Sequence, residues 1–211
     1  MTNRKARDFF SDEERERIRL AVELAESGTA GEIAPMVVDR SDRYREAEVL
    51  GGVLLSGLVS IIVAVAARHE AVWTYVPLVF ALYFPCRNIF KRFPHLKLPF
   101  LSKWRTDEAV RERALRAFYE KRLHKTSNET GILIFISLLE HKVWILGDRG
   151  INARIAPHFW HRLAAELAAG LKEDRACDAL CNVIAGCGKE LAHHFPRQAD
   201  DRNELDNNLI R

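Results

Sequence analysis

Five carboxylates stand where turns and chain ends could gather them. Glu32 follows Thr29-Ala30-Gly31 at the head of a β-branched run, and Asp148 lies in Gly147-Asp148-Arg149-Gly150 at the end of another. Asp200, Asp201 and Glu204 crowd a polar tail. If the five converge, they form a hard oxygen site suited to Ca²⁺ or Mg²⁺. Such an ion could polarise a phosphoryl group and activate water. The alternative is structural. Glu32 and Asp148 then serve turns, and the tail acids are solvated or pair with Arg149, Arg154 or Arg197, as charge clusters on solvated faces usually do.

Other reactive groups are less ordered. Cys177, Cys181 and Cys187 share one apolar stretch that His193 and His194 close, but their spacing does not match paired zinc ligands. Cys177 and Cys181 are one helical turn apart, which small buried thiols also satisfy. His158 and His161 flank Trp160, and a surface position suits them better than catalysis. The sequence has no phosphate-cradling glycine loop, nucleophile elbow or Cys-His motif.

The elements that would carry these groups can be read from periodicity. Ser11-Asp12-Glu13-Glu14 is a capping box, and Ile18, Ala21, Val22 and Ala25 continue at helical spacing to a stop at Gly28, which predicts a helix over 12–27. Residues 32–39 read as a strand, with Pro35 marking an edge or a bulge. Thr106 or Asp107 caps a helix to about Leu123, striped by Val110, Ala114, Ala117 and Phe118. The run 132–139 is apolar throughout, as in a strand covered on both faces. Glu140-His141-Lys142 turns it back into 143–148 as an antiparallel partner. Helices over about 153–170 and 174–193 follow, the second capped by Asp174, and the tail shows no clear element.

Between the first strand and the second helix lies a different kind of sequence. Val49 to Ala67 is 19 residues without a charge, roughly 28 Å at helical rise and close to the thickness of a bilayer core. After Arg68-His69-Glu70, residues 71–86 are again uncharged, and they reach a full span only through Phe90 with Arg87 snorkelling. Gly51, Gly52, Ser56, Gly57 and Ser60 allow close helix approach in lipid. Trp73, Tyr75 and Tyr83 suit the interfaces. Residues 49–90 therefore read as a transmembrane hairpin. Positive charge lies outside it: Arg40, Arg43 and Arg45 before, and Arg87, Lys91, Arg92, Lys97, Lys103 and Arg105 after, against Arg68 alone in the connection. That bias predicts a multi-pass protein of the cytoplasmic (inner) membrane with both termini in the cytoplasm. The stretch 91–105 alternates basic and apolar residues and reads as a linker along the inner headgroup surface, held by anionic lipid.

The remaining sequence, 1–48 and 106–211, forms a discontinuous α/β domain. The net charge of +3 argues against a dedicated nucleic-acid binder. The N-terminus lacks the apolar core and cleavage site of a signal peptide, and the four cysteines do not resemble a secreted disulfide framework.

The segments TAGEIAPMVV (29–38), RALRAFYEKRLHKTSNETGILIFISLLEHKVWILGDRGI (113–151), FWHRLAAEL (159–167) and HHFPRQADDRNEL (193–205) resemble, in order and spacing, the TPM domain family. The family is named from a thylakoid luminal protein, a photosystem II-associated protein and a receptor modulator. In particular it resembles a bacterial branch in which a membrane hairpin interrupts the domain and the chain ends in a His-Phe-Pro, Asn-Glu-Leu tail. The resemblance implies a small mixed sheet flanked by helices. It also implies one of two roles, since some members are acid phosphatases or bind divalent cations and others help to assemble membrane complexes. Hydrolase-like members carry an acid shortly after the Gly-x-Gly turn. This chain has Asn152-Ala153-Arg154 there, which favours a membrane-anchored binding or assembly module with a membrane-protein partner over a divalent-cation-dependent phosphatase.

Overall fold

The computed structural model describes residues 5–66, 72–126, 129–197 and 207–210. They divide into two compact units, 1–41 with 107–211, and 42–106.

The first unit is built on a three-stranded mixed sheet in the order β1-β2-β3. β1 (Glu32–Val38) runs parallel to β2 (Gly131–Ser137), in register from Glu32 opposite Gly131 to Val38 opposite Ser137. β3 (Lys142–Gly147) returns antiparallel to β2. Every residue of β2 is buried, as its unbroken apolar run requires. Alternation along the strands sends Ile33, Val37, Ile132, Ile134, Ile136 and Ile145 to one face. There they meet α1 (Asp12–Glu26), α6 (Pro157–Lys172) and α7 (Ala176–His194). Ala34, Met36, Leu133 and Phe135 take the other face, under Val110, Ala114, Ala117 and Phe118 of α4 (Lys103–Glu120).

The capping box at Ser11 forms as expected: the Ser11 hydroxyl accepts from the Glu14 amide, and the Glu14 carboxylate accepts from the Ser11 amide. Two other caps fall elsewhere. α4 begins at Lys103, before Thr106 and Asp107, and ends at Glu120, so that Leu123 opens a separate 3-10 turn. Asp174 adopts the left-handed conformation ahead of α7, which leaves Arg175 at its N-cap. The Gly147–Gly150 turn carries a four-residue helix, α5 (Arg149–Asn152), with Asp148 as its N-cap.

The outer edge of β1 is closed by groups from outside the sheet. The Glu26 Oε1 accepts from the Ile33 amide at 2.7 Å. Pro35 removes a donor there, consistent with its predicted edge position. The tail, which shows no element in the sequence, pairs here. The Ile210 amide donates to the Pro35 carbonyl and the Val37 amide donates to the Ile210 carbonyl, both at 2.9 Å.

The second unit is a helical hairpin, α2 (Arg45–Ala66) against α3 (Val72–Arg92), followed by a 3-10 turn over Pro94–Phe100. Its polarity is the reverse of a water-soluble hairpin. The contact is made by Gly51, Gly52, Ser56 and Ser60, with both serines fully buried. A Cβ on Gly51 would lie 2.5 Å from the Phe90 ring, so the two helices meet where only glycine fits. Leu54, Leu58 and Ile62 face outward, as do Phe80 and Phe84, each 70% exposed. Among the described residues one helix, α2, is long and apolar enough to cross a membrane, and only 22% of its most apolar stretch is buried. The second expected span does not meet that test, and α3 carries Arg87, Lys91 and Arg92 toward its C-terminal end.

Lys97 corrects another expectation. It is not a headgroup contact. Its side chain is 1% exposed, and its Nζ donates to the Glu48 Oε1 at 2.5 Å and the Arg43 carbonyl at 2.8 Å. A buried ammonium needs such partners, and this one ties the 3-10 turn to the start of α2. Arg105 is likewise engaged. It pairs with Asp42 and Glu46 and lies over the Tyr44 ring. Arg87, Lys91, Arg92 and Lys103 are exposed.

Two outcomes follow from the buried charges. Lys97→Met should cost roughly 3–5 kcal/mol in thermal or denaturant unfolding in detergent, because Glu48 is left uncompensated. The double variant Lys97→Met/Glu48→Leu should recover most of that loss, and a double-mutant cycle measures the coupling. The second outcome concerns Glu26. Burial above all, helped by the nearby Glu32 charge, pushes its pKa up to about 8, against the downward pull of the Ile33 amide and Asn207. The unfolded chain therefore releases its proton at lower pH than the folded one. Stability from this group is complete below about pH 4.5 and falls as pH rises to 8, by roughly 3–5 kcal/mol. Glu26→Gln, which keeps an acceptor for Ile33, should flatten that slope in unfolding curves recorded between pH 4.5 and 8.

Candidate functional site

The sheet brings two of the five predicted carboxylates to one end and one face. Glu32 opens β1 opposite Gly131, and the Asp148 amide donates to the Gly131 carbonyl at 2.9 Å. Glu32 and Asp148 thus flank Gly131 in a row. Two strand spacings separate them, about 10 Å between backbones. Alternation points both toward the α4 side, with Ala34 and Leu146.

What lies between them is backbone. A Cβ on Gly131 would stand 2.4 Å from the Leu123 carbonyl oxygen. The turn after α4 therefore covers Gly131 directly, and this is why a glycine is needed there. The two carboxylates share an end of the sheet with a peptide group over the middle. Asp200, Asp201 and Glu204 lie outside the described residues. Among the described residues, no group of three or more His, Cys, Asp or Glu side chains is placed to hold a metal ion.

Glu32 is buried. The Asp148 Oδ1 accepts from the Arg149 amide at 2.7 Å and so caps α5, while Oδ2 is buried without a hydrogen-bond partner. Beside it opens a cleft of about 510 Å³. Leu115, Phe118 and Tyr119 of α4 form one wall, and Leu146, Asp148, Arg149 and Asn152 the other. This is an apolar trough with a polar rim, the usual build of a small-ligand or side-chain pocket.

The residues just after the Gly147–Gly150 turn have structural work. The Asn152 side-chain carboxamide donates to the Gly147 carbonyl at 2.6 Å and seals the last acceptor of β3. Arg154 donates to the His194 carbonyl at 2.7 Å, at the end of α7, with its guanidinium 4.7 Å above the Phe195 ring. Arg197 donates to the Ser27 carbonyl at 3.3 Å. Arg154 and Arg197 thus cap helix ends.

The thiols are poor nucleophiles. Burial pushes Cys177 and Cys187 up to about 12 and raises Cys181. A thiol held protonated is neither a ready ligand nor an attacking group. Cys187 is fully buried in the helix-side core, and Cys177 lies 3.8 Å from the Glu14 carbonyl. His158 and His161 are exposed, as predicted.

One acid escaped the sequence reading. Glu26 sits in the last turn of α1, at the negative end of the helix dipole, where a carboxylate is disfavoured. That misplacement is the signal that could have singled it out. In the fold it bridges the Ile33 amide and the Asn207 side chain, the latter at 2.8 Å.

Comparison with known proteins fits this architecture. The model of the TPM domain matches residues 101–190. No curated protein matches the chain. Among solved structures, the BA42 protein of the psychrophilic bacterium Bizionia argentinensis, determined by NMR, is similar over 98% of this chain and 97% of its own. The TM-score is 0.61 at 20% identity, a likeness of fold. The sheet strands β2 and β3, the cleft beside them and the helix α4 that walls it fall within the matched range, so it is residues 101–190 that match a TPM domain.

Proposed function

We propose that this TPM-domain protein is anchored in the cytoplasmic membrane by the α2–α3 hairpin and works at the inner face as a binding or assembly module for a protein partner. The observation that carries the reading is the inverted hairpin. Its small and hydroxylated residues are buried between the helices, and its leucines, isoleucines and phenylalanines face outward. In water such an arrangement exposes a large apolar patch. In lipid it is the expected one, because lipid gives no drive to bury leucine and close packing of small residues holds helices together. α2 supplies one full span. α3 completes the hairpin with its basic end, Arg87, Lys91 and Arg92, at the interface. The positive charge on both flanks of the hairpin supports cytoplasmic placement of the TPM domain.

A binding role suits the site better than hydrolysis. Glu32 and Asp148 stand on either side of a covered glycine, Asn152 is used as a backbone seal, and the cleft is mainly apolar.

The anchoring is tested by fractionation of cells that make the intact chain. It should sediment with membranes and resist extraction by alkaline carbonate. A variant with Leu54, Leu58 and Ile62 all changed to Glu should move to the supernatant with its domain still folded by circular dichroism. Recovery of the unaltered chain as a dispersed protein without detergent would remove the anchor and the workplace together.

A further inference from the structure

A strand edge in a small sheet is a template for another strand, and in this chain the edge of β1 already holds one. Residues 207–210 occupy it in a way that reads as recognition. The Ile210 backbone makes two hydrogen bonds, to the Pro35 carbonyl and from the Val37 amide. Leu209 packs against the helix-side core and Ile210 against the α4-side core, so successive side chains go to opposite faces as in a strand. The Asn207 carboxamide donates to the Glu26 Oε2 at 2.8 Å. Glu26 itself is fixed by the Ile33 amide of the same edge. The groove therefore has a polar anchor, two aliphatic seats and a backbone ladder of one residue. Such an occupant is specific in its chemistry and short in its hold.

We propose that the outer edge of β1 is a docking groove for an extended segment of a partner protein. That segment would carry a carboxamide followed two and three residues later by aliphatic side chains, and residues 207–210 would hold the groove as an internal competitor. This rests on the binding-module reading and gives it an address. Main-chain pairing provides the affinity, and alternate side chains in fixed seats provide the selectivity, the usual division in strand addition. A tethered occupant is present at high effective concentration, so the groove opens only to a partner held nearby or bearing a better-fitting segment.

The test uses the full-length chain in detergent micelles and a fluorescent peptide with the sequence of residues 205–211, read by anisotropy. Ile210→Pro removes the donor to the Pro35 carbonyl and should raise peptide affinity about tenfold over the unaltered chain. Asn207→Ala is the milder second variant, should Ile210→Pro fail to fold, and should give a smaller gain in the same direction. Changing the peptide's own asparagine to alanine should cost about tenfold. Equal affinity of altered and unaltered chains would overturn the proposal. So would the absence of peptide binding by a variant whose circular dichroism and melting are native, or self-association of the variant in preference to the peptide. Because the assay is independent of membrane partition, failure of the anchor and failure of the groove are told apart.

Discussion

The first unit depends on the complete burial of β2. A strand with water on neither side must find partners for its backbone on both edges and for its side chains on both faces. β1 and β3 supply the first, and two separate helical layers the second. Three strands are few for this task, and the flanks show how the shortage is met. Glu26 and Ile210 close the far edge of β1, and Asn152 closes the last carbonyl of β3. The residues that look available for chemistry at this end of the sheet are drawn into sealing it.

Much of the fold was legible because it follows from local pattern. The Ser11 box, the apolar run of β2, the Glu140–Lys142 turn and the edge character of Pro35 are statements about a few neighbouring residues, and each has its counterpart in the structure. Long-range events were not legible. No periodicity announces that Asn207 will meet Glu26, or that four residues of a polar tail will lie along β1. Lys97 shows the same limit: composition puts a lysine between prolines and leucines at an interface, whereas the fold pairs it with Glu48, 49 residues away in sequence. The site suffered from a similar blindness. Glu32 and Asp148 do arrive at one end of the sheet, but the Leu123 carbonyl over Gly131 is a fact of packing.

The hairpin and the sheet solve opposite problems with the same residue types. In the first unit isoleucine and leucine fill the core. In the second they face outward, while glycine and serine make the contact between helices. On the proposed anchoring, the two contrary sortings answer to two solvents, water for the sheet and lipid for the hairpin.

The position of the hairpin in the chain has a consequence for biogenesis. β1 and β2 are neighbours in the sheet, yet the whole of α2, α3 and α4 is synthesised between them. A nascent chain thus emerges with β1 complete and its natural partner still unmade. Parallel pairing of this kind is slow and leaves an apolar strand exposed in the meantime. Under the proposed anchoring, that wait would be spent with the hairpin already in the bilayer. The β2–β3 half of the sheet is made last.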